Sequence, residues 1–443
     1  MLVLIEISRI GRCFMSDDIL NAGSEKQCIM KCNAAYMLKT QDGTLLSQGE
    51  CTVQLDEETL TIMPRFGDLI SLHFRDIIDI SDVDYQVQMS LESDQTLTVF
   101  DLGYNFEDFV IKLYRLRNQV LLKDMLMDET KRFEAEGEYN YSDVMQKAGH
   151  NGECSIQLYE TALVILPKRQ DIKRIPYSLI EVASEGDYRI TVKTELGEEY
   201  IFSMLGRMYD PFYKKFCELM DVLAQKVQTH LVEVFPEMGV QIAARLARIM
   251  KDGKAARKSD IDNISPNIWG KLEERLAAAG VDEEYNFLSS LGQKDKICIG
   301  IKRGLMGDLT GEYTWFMVPV CGNQPDILYN TIAMEAVDSE GRGATYFFRL
   351  VDENGLHSCD CSSPDAVNSF IKELNYCMLM LNFRREPIYL SEESLNDSKY
   401  LKYKYAIRKL LYLQHLRRTF IGRVIHRSAE QWKNDVLKIL KSG

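Results

Sequence analysis

No run of about twenty apolar residues, the length a helix needs to cross a bilayer, occurs in this chain. There is also no low-complexity block or long polar tail of the kind that stays disordered. Positive charge is in deficit. Fifty-three Lys and Arg face 66 Asp and Glu, for a formal net charge of −13 and a pI near 5.2, which argues against a general nucleic-acid binder. The eleven cysteines show no framework spacing. An odd number without a secretory leader reads as reduced thiols, so the cytoplasm is the expected compartment. The opening "MLVLIEISRIGRCF" is apolar but short, carries Glu6 and Arg9, and is followed by no small-residue cleavage site. It reads as an extension ahead of a second start at Met15 rather than as a signal peptide.

Catalytic signatures are missing too. No G-x-S-x-G elbow is present, and six histidines are scattered without an obvious nucleophile beside them. Gly304, Gly307 and Gly311 lack the G-K-[ST] ending of a phosphate loop, and "EGRGATY" lacks the G-x-G-x-x-G frame, so both read as hairpin turns. Cys28 with Cys32, and His357 with Cys359 and Cys361, lack the paired C-x2-C spacing of structural zinc. Cys51 and Cys154 read as small core residues. No catalytic residue, metal or cofactor is expected, and the chain reads as a non-enzyme.

What the sequence does hold is a repeat. "GECTVQLDEETLTIMP" (49–64) and "GECSIQLYETALVILP" (152–167) lie 103 positions apart, and the match runs without a gap from residue 49 to 113 with about 19 of 65 positions identical. Inside each copy apolar and polar residues alternate in short runs such as "TLTIMP" and "YQVQMSL", the pattern of half-buried antiparallel strands. Leu102-Gly103 and Leu205-Gly206 end the last strand of each copy. The period then changes: Phe106, Phe109, Val110, Leu113, Leu116, Val120 and Leu121 form one helical stripe. Asp210-Pro211 reads as a cap and first helical residue in the second copy.

"GECTVQLDEETLTIMP…ISLHFRDIIDIS" and its twin "GECSIQLYETALVILP…KRIPYSLIEVAS" resemble pleckstrin-homology-like (PH-like) modules, closest in flavour to the GRAM type. The resemblance covers about half the chain. It implies an α+β protein of tandem PH-like antiparallel β-barrels, each closed by a C-terminal helix. Module 1 spans 29–130 and module 2 spans 131–235, after the extension 1–28. A helical linker region is expected over 236–295, where Ser265-Pro266 and Gly280 bracket a helix. Strand signals followed by one helix over 296–392 repeat the grammar of a third PH-like module. Residues 393–443 read as a long basic amphipathic helical tail, interrupted near Gly422, with Leu410, Leu413, Leu416, Phe420, Val424, Trp432, Val436 and Leu440 along one stripe. Twelve Lys and Arg against two acids lie between Lys399 and Lys441.

One cluster stands out as a candidate anion site: Lys168, Arg169, Lys173 and Arg174 in "PKRQDIKRIP". Module 1 keeps only Arg65 of these charges. In PH-like domains basic loops of this kind can hold phosphorylated headgroups, so the resemblance implies anionic lipid or phosphate binding there, set against the plainer reading of a solvated basic turn partnered by nearby acids such as Asp171. The expected role is a cytoplasmic scaffold that binds other proteins through its PH-like modules. The alternative is a peripheral membrane adaptor on an anionic surface, using the basic loop and the C-terminal helix. Packing of that helix within the chain, or against a second copy in a homo-oligomer, is a further expectation.

Overall fold

The computed structural model describes residues 28–125, 129–143, 149–303, 312–320, 330–337, 343–351 and 364–442. The expectations placed on residues 1–27, on Gly304, Gly307 and Gly311, and on His357, Cys359 and Cys361 lie outside the described residues.

The first copy runs β1 (Met30–Thr40), β2 (Leu45–Leu55), β3 (Thr59–Pro64), β4 (Ile70–His73), β5 (Ile77–Val83), β6 (Gln86–Leu91), β7 (Gln95–Phe100) and α1 (Phe106–Asp124). Its seven strands are ordered β4-β3-β2-β1-β7-β6-β5. The edge strands β4 and β5 are thus joined by only Phe74–Asp76. A flat seven-stranded sheet would be about 29 Å wide, further than so short a link can reach. The sheet must curl into a half-barrel, and α1 fills it: Phe106, Phe109, Val110, Leu113, Leu116 and Val120 are all buried against the strands.

The second copy repeats this with β8 (Phe133–Asp143), β9 (Gly149–Leu158), β10 (Ala162–Pro167), β11 (Lys173–Pro176), β12 (Ile180–Gly186), β13 (Arg189–Thr194), β14 (Glu198–Ser203) and α2 (Tyr209–Val234). The order is again β11-β10-β9-β8-β14-β13-β12. Two curled antiparallel sheets, each closed by its C-terminal helix, make tandem PH-like modules in an α+β chain.

The shared residues have local reasons. Asp84-Tyr85 and Asp187-Tyr188 each form a two-residue hairpin with both φ angles near +50° to +60°, the conformation that matches strand twist but strains a non-glycine residue. The tyrosine ring compensates by packing on the first helical residue, Tyr85 on Phe106 at 5.3 Å and Tyr188 on Tyr209 at 5.7 Å. Gly103 and Gly206 take φ of 57° and 54° where the chain turns from strand to helix. Helix α2 starts at Tyr209, so Pro211 sits in its first turn rather than opening it; the N–H it lacks is one no helix would use there. Cys51 and Cys154 are buried at equivalent places, and burial pushes their thiols up to about 11 and about 12.

The remaining chain builds one further unit. It contains α3 (Val240–Ile249), β15 (Ala256–Arg257), α4 (Lys258–Asp262), α5 (Pro266–Ala278), α6 (Asp282–Leu291), β16 (Cys298–Arg303), β17 (Glu312–Val320), β18 (Thr331–Val337) and β19 (Gly343–Arg349). Then come α7 (Pro364–Met380), α8 (Glu386–Tyr389), α9 (Lys404–Lys409), α10 (Leu411–Thr419), β20 (Phe420–Ile425) and α11 (Ala429–Ser442). The expected third PH-like module takes a different form. Its sheet is a six-stranded meander, β15 to β20 in sequence order, with no short tie between its edges to force a curl. In β16, Cys298 to Lys302 are buried without alternation, as in sheets covered on both faces. One face packs on α3, α5, α6 and α11, the other on α7, α8 and α10. The linker helices and the tail are therefore layers of this unit. The tail is interrupted at Gly422 by β20, which pairs with β19. Its apolar stripe is covered inside the chain, Leu413 and Leu416 on one face and Trp432, Val436 and Leu440 on the other. The stripe thus packs within the chain, one of the two arrangements expected for it.

A charged group lies under this tail. Glu335 on β18 is 0% exposed and accepts a hydrogen bond from Thr345 at 2.5 Å, and Trp432 of α11 donates to the same hydroxyl at 2.9 Å. His426 Nε2 stands 3.1 Å from Glu335 and its Nδ1 3.9 Å from Glu284. Burial raises the Glu335 carboxyl, with His426 and Thr345 offsetting only part of the shift. Burial works against the His426 charge, but Glu335 and Glu284 outweigh it and raise that group as well. Both shifts favour the protonated forms in the fold. The histidine's contribution is fully present below its ordinary value of about 6.5 and is lost as pH rises through the raised one, while the loss from Glu335 begins lower, above an ordinary glutamate value of about 4.3. Thermal denaturation of the full chain should show a midpoint that falls between about pH 6 and 8. In His426→Gln that slope should be reduced.

Candidate functional site

The turn between β10 and β11, residues 168–172, does not present its basic residues as one patch. Lys168 pairs with Glu153 on the neighbouring strand β9. Arg65 and Glu50, their counterparts 103 residues earlier, form the same pair at 2.9 Å, so this contact braces each sheet rather than awaiting a ligand. Arg169 crosses to module 1, where it meets Asp82 at 2.9 Å and Glu107. Lys173 and Arg174 follow each other on a strand and so face opposite ways. The Lys173 ammonium sits 3.8 Å above the Tyr141 ring, and burial pushes its pKa down. Arg174 is buried and donates to the carbonyls of Leu379 and Met380 at 3.3 and 3.1 Å, the electronegative end of α7. The expected single anion surface is corrected by this arrangement: two of the four cations lie in exposed ion pairs and two are enclosed.

The turn holds the modules together. Arg117 of α1, 1% exposed, pairs with Asp171 and donates to the carbonyls of Ile77 and Ile78 at 3.0 and 3.3 Å. Asn118 next to it reads the turn's backbone, donating to the carbonyl of Gln170 at 2.9 Å and accepting from the amide of Ile172 at 3.0 Å. Ile172, 1% exposed, clusters with Leu121 and Met125 at the end of α1. The sequence shows the basic residues of this turn but not its partners, because Arg117 is 54 residues away from Asp171.

The third unit grips both modules at repeat-equivalent places. Lys404 of α9 pairs with Glu92 and with Asp76, while Lys254 pairs with Glu195, the twin of Glu92. Lys251 donates to the carbonyl of Ile180 at 2.9 Å, as Arg117 does to its twin Ile77. Much of the tail's positive charge is engaged in this way. Lys409 pairs with Asp79 at 3.0 Å, Arg408 with Glu392 at 2.7 Å, and Arg417 donates to the carbonyls of Pro387 and Leu390.

Two hollows border these joints. A cleft of about 450 Å³ beside α2 brings His230 near Glu233, Asp252 and Arg303. Its carboxylates are both in ion pairs, Glu233 with Arg303 and the buried Asp252 with Lys302. A smaller cavity of about 240 Å³ at the mouth of module 2 is lined by Tyr141, Lys173, Glu198, Tyr376 and Tyr412 among others. Burial raises the Glu198 carboxyl there. No group of three or more His, Cys, Asp and Glu placed to hold a metal occurs among the described residues. No described helix is long and apolar enough to cross a membrane.

Module 1 presents its own version of the docking turn bare. Among the described residues no second module covers residues 65–69, and Phe66 is 87% and Leu69 61% exposed. Beside them, β2 pairs with β3 only over Cys51–Leu55, although β1 pairs with it back to Leu45. Glu50 still accepts a backbone hydrogen bond from Arg65 at 2.9 Å, but among the described residues no strand pairs with the outer edge of residues 45–49, and Leu45 and Leu46 are exposed.

No family model matches the chain, and no curated protein matches it. Among solved structures it is similar to one described as the structure of the Spt16D Pob3N heterodimer, at 12% identity, covering 38% of this chain and 85% of that chain, with a TM-score of 0.16. The PH-like assignment rests on the strand order and closing helices of the two modules.

Proposed function

We propose that the chain is a non-catalytic, cytoplasmic protein-binding scaffold whose two modules, of the GRAM-like kind, have divided the work. Module 2 is joined on both sides, to module 1 and to the third unit, and acts as the joint. Module 1 is the binding end. The observation that supports this reading is the free end of its sheet: a strand edge at residues 45–49 unpaired among the described residues, with Leu45, Leu46, Phe66 and Leu69 all exposed. Unpaired edges add strands from partners, and apolar side chains beside them supply the affinity. The membrane-adaptor reading draws on the same cations that are paired within the chain, and it ranks second.

Affinity purification of the full chain from its source cells tests the scaffold. Leu46→Lys with Phe66→Lys should lose specific co-purifying proteins at least about fivefold, about 1 kcal/mol of binding, with an unchanged melting temperature. The absence of any specific co-purifying protein with the unaltered chain would overturn the reading.

A further inference from the structure

We propose that residues 65–69 of module 1 dock onto the helix-and-edge-strand face of a PH-like module in a separate protein, in the geometry by which residues 168–172 dock onto module 1. This rests on the scaffold reading and names the class of partner.

The two turns share their frame and their anchors. Pro64 and Asp68 are identical to Pro167 and Asp171, and Leu69 stands where Ile172 stands. In module 2 every one of those anchors is engaged: Asp171 meets Arg117, Ile172 is buried at the end of α1, and Asn118 reads the backbone between them. In module 1 Leu69 is left exposed, and an apolar side chain in that position gains only when covered.

The occupied turn specifies what the vacant one fits. The partner's closing helix would carry a cation for Asp68 and, beside it, a side-chain amide that bonds the backbone at Gly67 and Leu69. An apolar notch about one turn further along would receive Leu69. Where Asp82 and Glu107 meet Arg169, module 1 offers Phe66, so the matching place on the partner is apolar rather than acidic. Among its described residues, a second copy of this chain offers no free face with that helix cation and amide. Module 1's face is filled by its own module 2. The corresponding face of module 2 carries Met220, Asp221 and Ala224 where module 1 has Arg117, Asn118 and Leu121, so its helix lacks the cation and the amide that read the turn, and Ala247, Arg248 and Lys251 of the third unit stand across a hollow from it.

The test places a photoreactive group in the turn of the full chain, Phe66→p-benzoylphenylalanine, in the cells that naturally make it. Mass spectrometry then identifies the adduct. The expected adduct maps to the closing helix of a curled antiparallel module in another protein. Its yield should fall about tenfold in Asp68→Ala and in Leu69→Asp, the size of a binding anchor. Both substitutions are on exposed side chains and should leave the melting temperature unchanged. An adduct to a second copy, to lipid, or to a protein of any other fold overturns the proposal, as does no adduct or a yield indifferent to Asp68 and Leu69. If these variants keep the co-purifying proteins of the unaltered chain, this inference fails while the scaffold stands. If nothing co-purifies with the unaltered chain, the scaffold itself fails.

Discussion

Asp171→Ala should destabilise the joint between the modules by about 3–5 kcal/mol, while Asp68→Ala, at the repeat-equivalent position, should cost less than about 0.5 kcal/mol. The difference lies in what each aspartate leaves behind. Removing Asp171 strands the Arg117 guanidinium, 1% exposed, inside the protein with only carbonyls for company. A buried charge without a counter-charge is among the largest penalties a single substitution creates. Lys409, 3.8 Å from the same carboxylate, also loses a partner. Asp68 is exposed and no buried cation depends on it. Urea denaturation of the full chain measures both. The double variant Arg117→Met with Asp171→Leu, which removes both charges together, should recover most of the loss. If Asp171→Ala costs less than about 1 kcal/mol, the ion pair does not hold the modules together.

Gly300→Ala should cost about 3 kcal/mol or more, by overpacking together with a broken buried hydrogen bond. Gly300 lies on β16 directly across from Trp315 on β17. The Trp315 indole lies where a side chain would be and donates to the Gly253 carbonyl at 2.8 Å. A Cβ on Gly300 would meet that indole nitrogen and come within 2.6 Å of the Gly253 oxygen. Either the ring moves or the turn at Gly253 does, and Trp315 is part of the core beneath α7. Gly270→Ala is the matching control. It sits within α5 with nothing within 4 Å of the added methyl group, so helix propensity alone should stabilise the chain by about 0.4–1 kcal/mol. Denaturant midpoints of the two variants should move in opposite directions.

The parts of the fold that were legible in the sequence are those written in local periods. Alternation marked the strands of both modules, and the stripe from Phe106 to Leu121 marked the closing helix and its buried face. Ser265-Pro266 and Gly280 gave both ends of α5. The parts that were not legible depend on what lies opposite. In "FIGRVI", Phe420 and Val424 are four apart, which suits a helix stripe as well as a strand. Only pairing with β19 decides it. The unbroken apolar run of β16 looked like one more barrel strand until helices were found on both of its faces. The basic turn was visible, but its meaning was not. Whether Arg169 holds a ligand or a neighbour depends on Asp82 and Glu107, more than sixty positions away.

The contact between the modules is of the head-to-tail kind, one surface meeting a different surface, and such contacts, repeated, close into a ring or run on as an open filament. Here the third unit stands at one end, its Ala247, Arg248 and Lys251 facing Met220, Asp221 and Ala224, the place where a further module would add. It acts as the terminal cap that stacked-repeat proteins need to stay soluble. The opposite end, at Phe66 and Leu69, has no such cap among the described residues. The molecule is thus a two-step stack, and under the proposed docking a single further module adds, at the end that carries Phe66 and Leu69.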